Sequence, residues 1–482
     1  MATDQEFFLG LAAKGKDTWN KWRRADIDRR VTFAGIDFSE APRDQIDFSG
    51  FEFGDHADFS KCRWRGIKLE EAVQVAGGFN TNAFRPGRAF FRGATFGRKA
   101  NFNRASFGDW ATFLDATFGQ DACFIGAVFG DHAMLDAAFG IFADFTSAAF
   151  GKGASFYGAA FGLSPKFNEV HFKGWVAFSG KSQDQWTIDA SRRMDPEAFS
   201  EMKQRHEASW KDWGSLPDHL PNISFARARF DGADFSGRSF EHTADFTGAR
   251  FYSPPNFDNV SGASRIDFTG ARIRFVPKGK FIHLTEDSRV VVRLRALRKV
   301  VDETKNHDLE RDLYIEERKA ERGVYLRQRW EDLKKEGWKN WFRNSGRLLA
   351  HVLWIFIMFG YWALADYGRS FVRPLAALIA SVFFFDWRYT KVLAPLMAMA
   401  PDVEKYKQAL GMLALGNAVP FVGPLTIDTK VKEFLFCAGE VADKCTPIPP
   451  EGFQFLVIFQ NLFSITCVFF IGLALRNYFK IK

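Results

Sequence analysis

The residues best placed for chemistry lie near the C-terminal end, in a stretch apolar enough to enter a bilayer and too broken to cross one. Residues 408–427 hold no charged side chain. Tyr406 to Leu415 suits a short re-entrant helix, and the glycines and prolines from Gly416 to Pro424 stop it from continuing. Irregular backbone at membrane depth is tolerated only where protein or a water-filled cavity covers it. Asn417, Ala418, Val419, Pro420, Phe421, Val422 and Gly423 are therefore candidate pore or re-entrant residues. In the last apolar run Gln460, Asn461, Ser464 and Thr466 are polar. Asn461 and Ser464 share a helix face, which serves either hydrogen bonding between helices or the lining of a path. Cys437 and Cys445 fall between these stretches, on the expected outer side of the membrane, where a disulfide persists. No phosphate-binding glycine loop, G-x-S-x-G or H-E-x-x-H occurs, and no Cys/His cluster has metal-ligand spacing. Neither catalysis, a metal nor a cofactor is expected.

Apolar runs must position these residues. Leu348 to Ala365 is free of formal charge, Pro374 to Phe385 extends from Phe371 to Tyr389, and Phe453 to Leu475 is the clearest span. Lys334, Lys335, Lys339, Arg343 and Arg347 alternate with Trp338 and Trp341 just before them, and Arg476, Lys480 and Lys482 close the chain. Positive flanks on both sides put both in the cytoplasm, so two or four crossings are expected.

Ahead of the membrane segments the chain repeats itself. Phe91, Phe96, Phe102, Phe107, Phe113, Phe118, Phe124, Phe129, Met134, Phe139, Phe145, Phe150, Phe156, Phe161, Phe167, Phe172 and Phe178 recur at steps of five and six residues. Ala94, Ala100, Ala105, Ala111, Ala116, Ala122 and Ala127 each stand two places before a marker. Neither a helix nor a flat strand has that period; a solenoid does, because each unit buries its side chains on its neighbours. Phe96, Phe107, Phe118, Phe129, Phe139, Phe150 and Phe161 are its predicted core. The extra residue of the longer step follows Phe-Gly, where glycine is expected to relieve an unusual φ.

Copies such as Ala57-Asp58-Phe59-Ser60-Lys61, Ala143-Asp144-Phe145-Thr146-Ser147, Ala233-Asp234-Phe235-Ser236-Gly237 and Ala244-Asp245-Phe246-Thr247-Gly248 resemble the pentapeptide-repeat family. The resemblance implies a mainly β fold, a right-handed quadrilateral β-helix with one pentapeptide per side. Two stretches, residues 366–374 before the first span and 472–477 after the last, resemble membrane-bound pentapeptide-repeat proteins. The order helix, re-entrant segment, outer loop, last helix resembles the two-span pore module of cation channels. No T-V-G-Y-G filter is present, so potassium selectivity is not implied.

The expected organisation is a capping helix over 1–30, a solenoid over 31–280 with a helical insertion at about 181–221, a charged helical linker over 281–347 and an α-helical transmembrane domain over 348–482. The insertion is read as a strut or a docking arm. The 482 residues are 47% hydrophobic, with 56 Phe, five Cys and a net charge of +8. Cys62 and Cys123 are expected as small buried thiols. A DNA-mimicking rod needs strong acidity. Residues 101–180 carry seven Asp/Glu against four Lys/Arg and residues 181–280 fourteen against fifteen, so no nucleic-acid partner or mimicry is expected. A multi-pass protein of the bacterial inner membrane follows, with solenoid and C terminus in the cytoplasm. Its expected partners are the bilayer, further copies of itself (a tetramer or pentamer) and an unknown cytoplasmic protein on the solenoid. The function is a weakly selective pore or a non-conducting tethered scaffold.

Overall fold

The computed structural model describes residues 2–65, 87–192, 196–213, 216–273, 289–343, 370–419, 429–437 and 449–479. They form two compact units, Met1–Arg329 and Trp330–Lys482.

The first unit is built on short parallel strands. Phe96 pairs with Phe118 and Phe118 with Phe139, so the chain returns to one ladder after 22 and then 21 residues. Within one such turn there are four pairing points, as in Phe90 with Thr112, Thr95 with Thr117, Asn101 with Cys123 and Ser106 with Val128. Two-residue strands suffice because each is paired on both sides by the turns before and after it.

The repeated Phe residues point inward and stack ring on ring. Phe96 and Phe118 lie 4.8 Å apart and 1° from parallel, Phe118 and Phe139 5.0 Å and 3°, Phe129 and Phe150 4.5 Å and 2°. Phe107 follows suit with Phe129 at 4.6 Å, and Phe161 with Phe139 at 5.1 Å. Rings of neighbouring columns meet edge to face, as Phe102 and Phe113 do at 87°. Each such contact adds about 0.5–1.5 kcal/mol beyond burial. The alanines two places before each ring are buried, because only a small side chain fits beside the stacks.

Three details differ from the sequence reading. Leu135, not Met134, fills the ring slot of its turn; Met134 lies in the strand ladder. The Ala137 amide donates to the Leu135 carbonyl, a tighter turn than the Ala116-to-Phe113 bond one coil earlier, and this absorbs the missing residue. The glycine after Phe is required by proximity rather than by φ. A Cβ on Gly119 would lie 2.6 Å from the carbonyl carbon of Gly97, and one on Gly140 2.7 Å from that of Gly119. The left-handed position falls instead on the residue just before the alanine, whatever its type: Lys99 (φ 59°), Arg104 (57°), Trp110 (62°) and Asp121 (61°).

Helices close both ends of this core. Two helices open the chain rather than one, α1 (Ala2–Ala12) and α2 (Lys16–Ala25). Trp19 of α2 is fully buried against Phe33, Phe51 and Phe53, and its Nε1 donates to the Glu52 carbonyl at 2.8 Å. Asn20 satisfies the same edge, donating to the Gly50 carbonyl and accepting from the Glu52 amide. This covers strand groups that would otherwise invite pairing with another chain. Two more helices, α3 (Gln183–Ser191) and α4 (Pro196–Trp213), leave the repeat between Lys181 and Pro217, whose backbones are joined by a hydrogen bond. The ladders run on across the gap, His171 pairing with Arg229. At its base the buried Arg238 donates to the carbonyls of Phe156, Ala159, Phe178 and Pro217. Burial pulls its pKa down to about 9.

The charged segment expected as a linker contributes α5 (Arg289–Glu303) and α6 (His307–Arg343). Leu294, Leu297, Val301 and Leu313 belong to the same buried cluster as the rings. The helical 3.5-residue spacing of those apolar residues therefore covers the last turn. Glu317 holds Arg295 and Arg298 at 3.0 and 3.1 Å.

The second unit is helical: α7 (Val372–Val392), α8 (Ala394–Met399), α9 (Val403–Ala418), α10 (Thr429–Phe436) and α11 (Phe453–Phe479). Among the described residues one helix, Phe453–Arg476, is long and apolar enough to cross a membrane, with a mean hydropathy of 2.1. The multi-pass expectation is not supported. α7 falls short because Arg373, Asp386, Arg388 and Lys391 interrupt it, and the run 348–365 lies outside the described residues.

Candidate functional site in the C-terminal helices

Helix α9 begins where Asp402 caps it, its carboxylate accepting from the Glu404 and Lys405 amides at 3.1 Å. It does not stop at Gly416. It runs through Asn417 to Ala418, and Val419 leaves helical geometry with φ −108° and ψ 88°. The reason is Pro420: a proline disfavours the helical conformation of the residue before it, whereas Gly416 merely weakens a helix. Asn417 and Ala418 are thus buried helical residues and Val419 an exposed cap. Pro420, Phe421, Val422 and Gly423 lie outside the described residues.

Helices α7 and α11 run antiparallel, because Tyr389 meets Phe453 while Phe385 meets Phe459. Their shared face is polar at its middle. The Tyr389 hydroxyl donates to Gln460 Oε1 at 2.6 Å, and Gln460 Nε2 donates to the Ala414 carbonyl of α9 at 2.7 Å. Asn417 Nδ2 approaches the Tyr389 hydroxyl oxygen at 3.4 Å. One cluster of side chains thereby ties three helices, and every member is buried. Tyr406 adds a fourth, donating to the Leu435 carbonyl of α10 at 2.6 Å.

Ser464 is one helical turn beyond Gln460 on the buried stripe that continues to Cys467 and Ala474. Among the described residues, its Oγ and the Oδ1 of Asn461 are buried without a hydrogen-bond partner. Of the two expected residues only Ser464 lies fully inside; Asn461 sits at the edge of the stripe. The residue that holds the helices together is Gln460, whose spacing of four from Ser464 and seven from Phe453 marks the seam in the sequence. Thr466 turns back to the Leu462 carbonyl of its own helix.

The opposite faces are apolar and exposed. Phe383 is 72% exposed on α7, Met412 63% on α9, and Phe455 77% and Phe469 63% on α11. Exposed apolar surface of this kind marks a protein, ligand or membrane contact. Cys437 is disulfide-bonded, and Cys445, its expected partner, lies outside the described residues. The remaining three cysteines, Cys62, Cys123 and Cys467, are free.

No family model, curated protein or solved structure matches the chain.

Proposed function

We propose that the chain is a membrane-anchored scaffold: a pentapeptide-repeat β-helix displayed on the cytoplasmic side by a packed helical anchor. The observation that carries this is the inverted polarity of the C-terminal helices. Their amide and hydroxyl groups bond one another inside, while phenylalanines and methionines face out. A bilayer supplies the outer surface, and α11 is the segment that crosses it. Four ladders at a spacing of 21–22 residues, with one ring per side, support the four-sided family fold for the repeat. A surface-displaying solenoid binds partners rather than carrying out a reaction.

A second reading has its own support. The unpartnered Ser464 Oγ and Asn461 Oδ1 are the groups a water-filled path between copies would use. In it, four or five chains surround a weakly selective pore beside the residues following Asn417. One experiment separates the two. The full-length chain should resist carbonate extraction, run as a monomer or dimer in detergent, and leave planar bilayers silent. A closed ring with discrete conductance steps that change in Asn417→Trp would establish the pore instead. Release into the soluble fraction would end both.

A further inference from the structure

The outer face of one ladder changes its charge over the last turns of the repeat. That ladder starts with Asp37 and Arg63, 3.9 Å apart, and continues through the uncharged Ser106, Val128 and Ala149. It then reads His171, Arg229, Arg250 and Arg272, each paired in register with the next. The three arginines are exposed, one per turn. At parallel-strand spacing their backbones stand about 4.8 Å apart.

Like charges set directly opposite one another destabilise a sheet. Among the described residues none of the three guanidinium groups has an ion pair or side-chain hydrogen bond. The nearby Glu169 is taken by Arg227 at 2.7 Å. A row of free, planar donors on a rigid frame suits carboxylates or phosphates.

The neighbouring face selects between them. Five residues before each arginine stand Ser224, Asp245 and Asp267, stacked in register on the adjoining ladder. Asp245 accepts from the Thr247 amide at 2.8 Å and from the Ser224 hydroxyl at 3.0 Å, and Asp267 from the Thr269 amide at 2.8 Å; among the described residues neither has an ion pair. A duplex or a lipid surface broad enough to cover the arginines would press its phosphates on these carboxylates. A narrow chain lying along the arginine file avoids them. Tyr252, two residues past Arg250 and 44% exposed, flanks the file on its other side.

We infer that this face docks an extended acidic protein segment, with the carboxylates of alternate residues, about 6.8 Å apart, each within reach of an arginine. The inference deepens the scaffold reading by naming what the solenoid displays itself to, but the binding does not depend on the anchor.

The test titrates fluorescein-labelled hexaglutamate with the full-length protein in detergent and reads anisotropy. Binding should weaken with salt. It should fall by about tenfold or more in the triple variant Arg229→Gln, Arg250→Gln, Arg272→Gln, and stay unchanged in the double variant Lys61→Gln, Lys99→Gln. If the triple variant unfolds, Arg250→Gln alone must give a smaller loss of the same sign. Wild-type affinity in either arginine variant overturns the inference. So does tighter, arginine-dependent binding of a thymidine oligonucleotide or of short-chain phosphatidylserine, which would assign the face to phosphate. Membrane behaviour is read separately by extraction, so failure here leaves the anchor standing.

Discussion

The two units solve the packing problem in opposite ways. In the repeat, rings and alanines fill the inside and charged side chains meet the solvent. In the C-terminal helices, Tyr389, Asn417 and Gln460 are inside while Phe383, Phe455 and Phe469 are outside. The difference is the one that the proposed membrane anchor requires. Burial of apolar area drives assembly only where water is the alternative; among lipid tails, association rests on packing and hydrogen bonds between helices. The contrast also separates the energies. The repeat holds by many interchangeable contacts, the helical unit by a few specific ones.

Substitutions can break that contrast. The largest effect is expected in the ring columns, where Phe118→Ala should cost about 3–5 kcal/mol, read by urea unfolding or protease resistance. Gln120→Ala, two residues on and only partly covered, should stay within about 0.5 kcal/mol. Equal costs would place the rings wrongly. Next is Arg238→Met, which removes the guanidinium donor from four carbonyls, of which those of Phe156 and Pro217 keep a backbone donor. An unsatisfied buried group costs about 1–3 kcal/mol, so a loss of about that size or more should appear at the base of α3 and α4 first, as faster cleavage there.

The helical unit should respond less to each change. Gln460→Leu is expected to cost about 1–2 kcal/mol in a detergent unfolding titration, and Tyr389→Phe about half of that. If Gln460→Leu is neutral while an outward Phe455→Gln is severe, the seam is not what joins the helices. The smallest effect concerns a thiol. Burial pushes Cys62 up to about 12, whereas an unfolded cysteine titrates near about 8.5. The folded state therefore keeps a proton that the unfolded state loses. The contribution to stability is whole below about pH 8.5 and fades as pH rises toward 12. Maleimide at pH 8 should modify Cys62 only when denaturant is present.

The ring slots were legible because a repeat announces its own register: Phe96, Phe107 and Phe118 fall where five- and six-residue steps put them. Leu135 was not, because it displaced a marker by one position and only the shortened turn after it restores the count. The reason for the glycines was also hidden. Sequence shows that Gly97 and Gly119 recur, not that adjacent turns approach too closely there for a Cβ. In the helices the signal is Pro420, which ends α9, whereas Gly416 lies within the helix. The polar residues were visible as a group, yet Gln460 could be distinguished from Asn461 only once α7 brought Tyr389 opposite it. Cross-helix pairs leave no local trace.

The passage between Lys181 and Pro217 has a practical meaning. Two helices depart and return there while Phe178 stacks on Phe235 at 5.4 Å, so the coil does not register the detour. Both ends of the excursion are pinned together by a backbone bond and by Arg238. Lengthening a closed excursion costs only about 0.6 kcal/mol per doubling. This corner is thus a natural port for grafting: a fluorescent protein, an epitope or a receptor module spliced between those two residues would ride on the repeat without rewriting any turn of it.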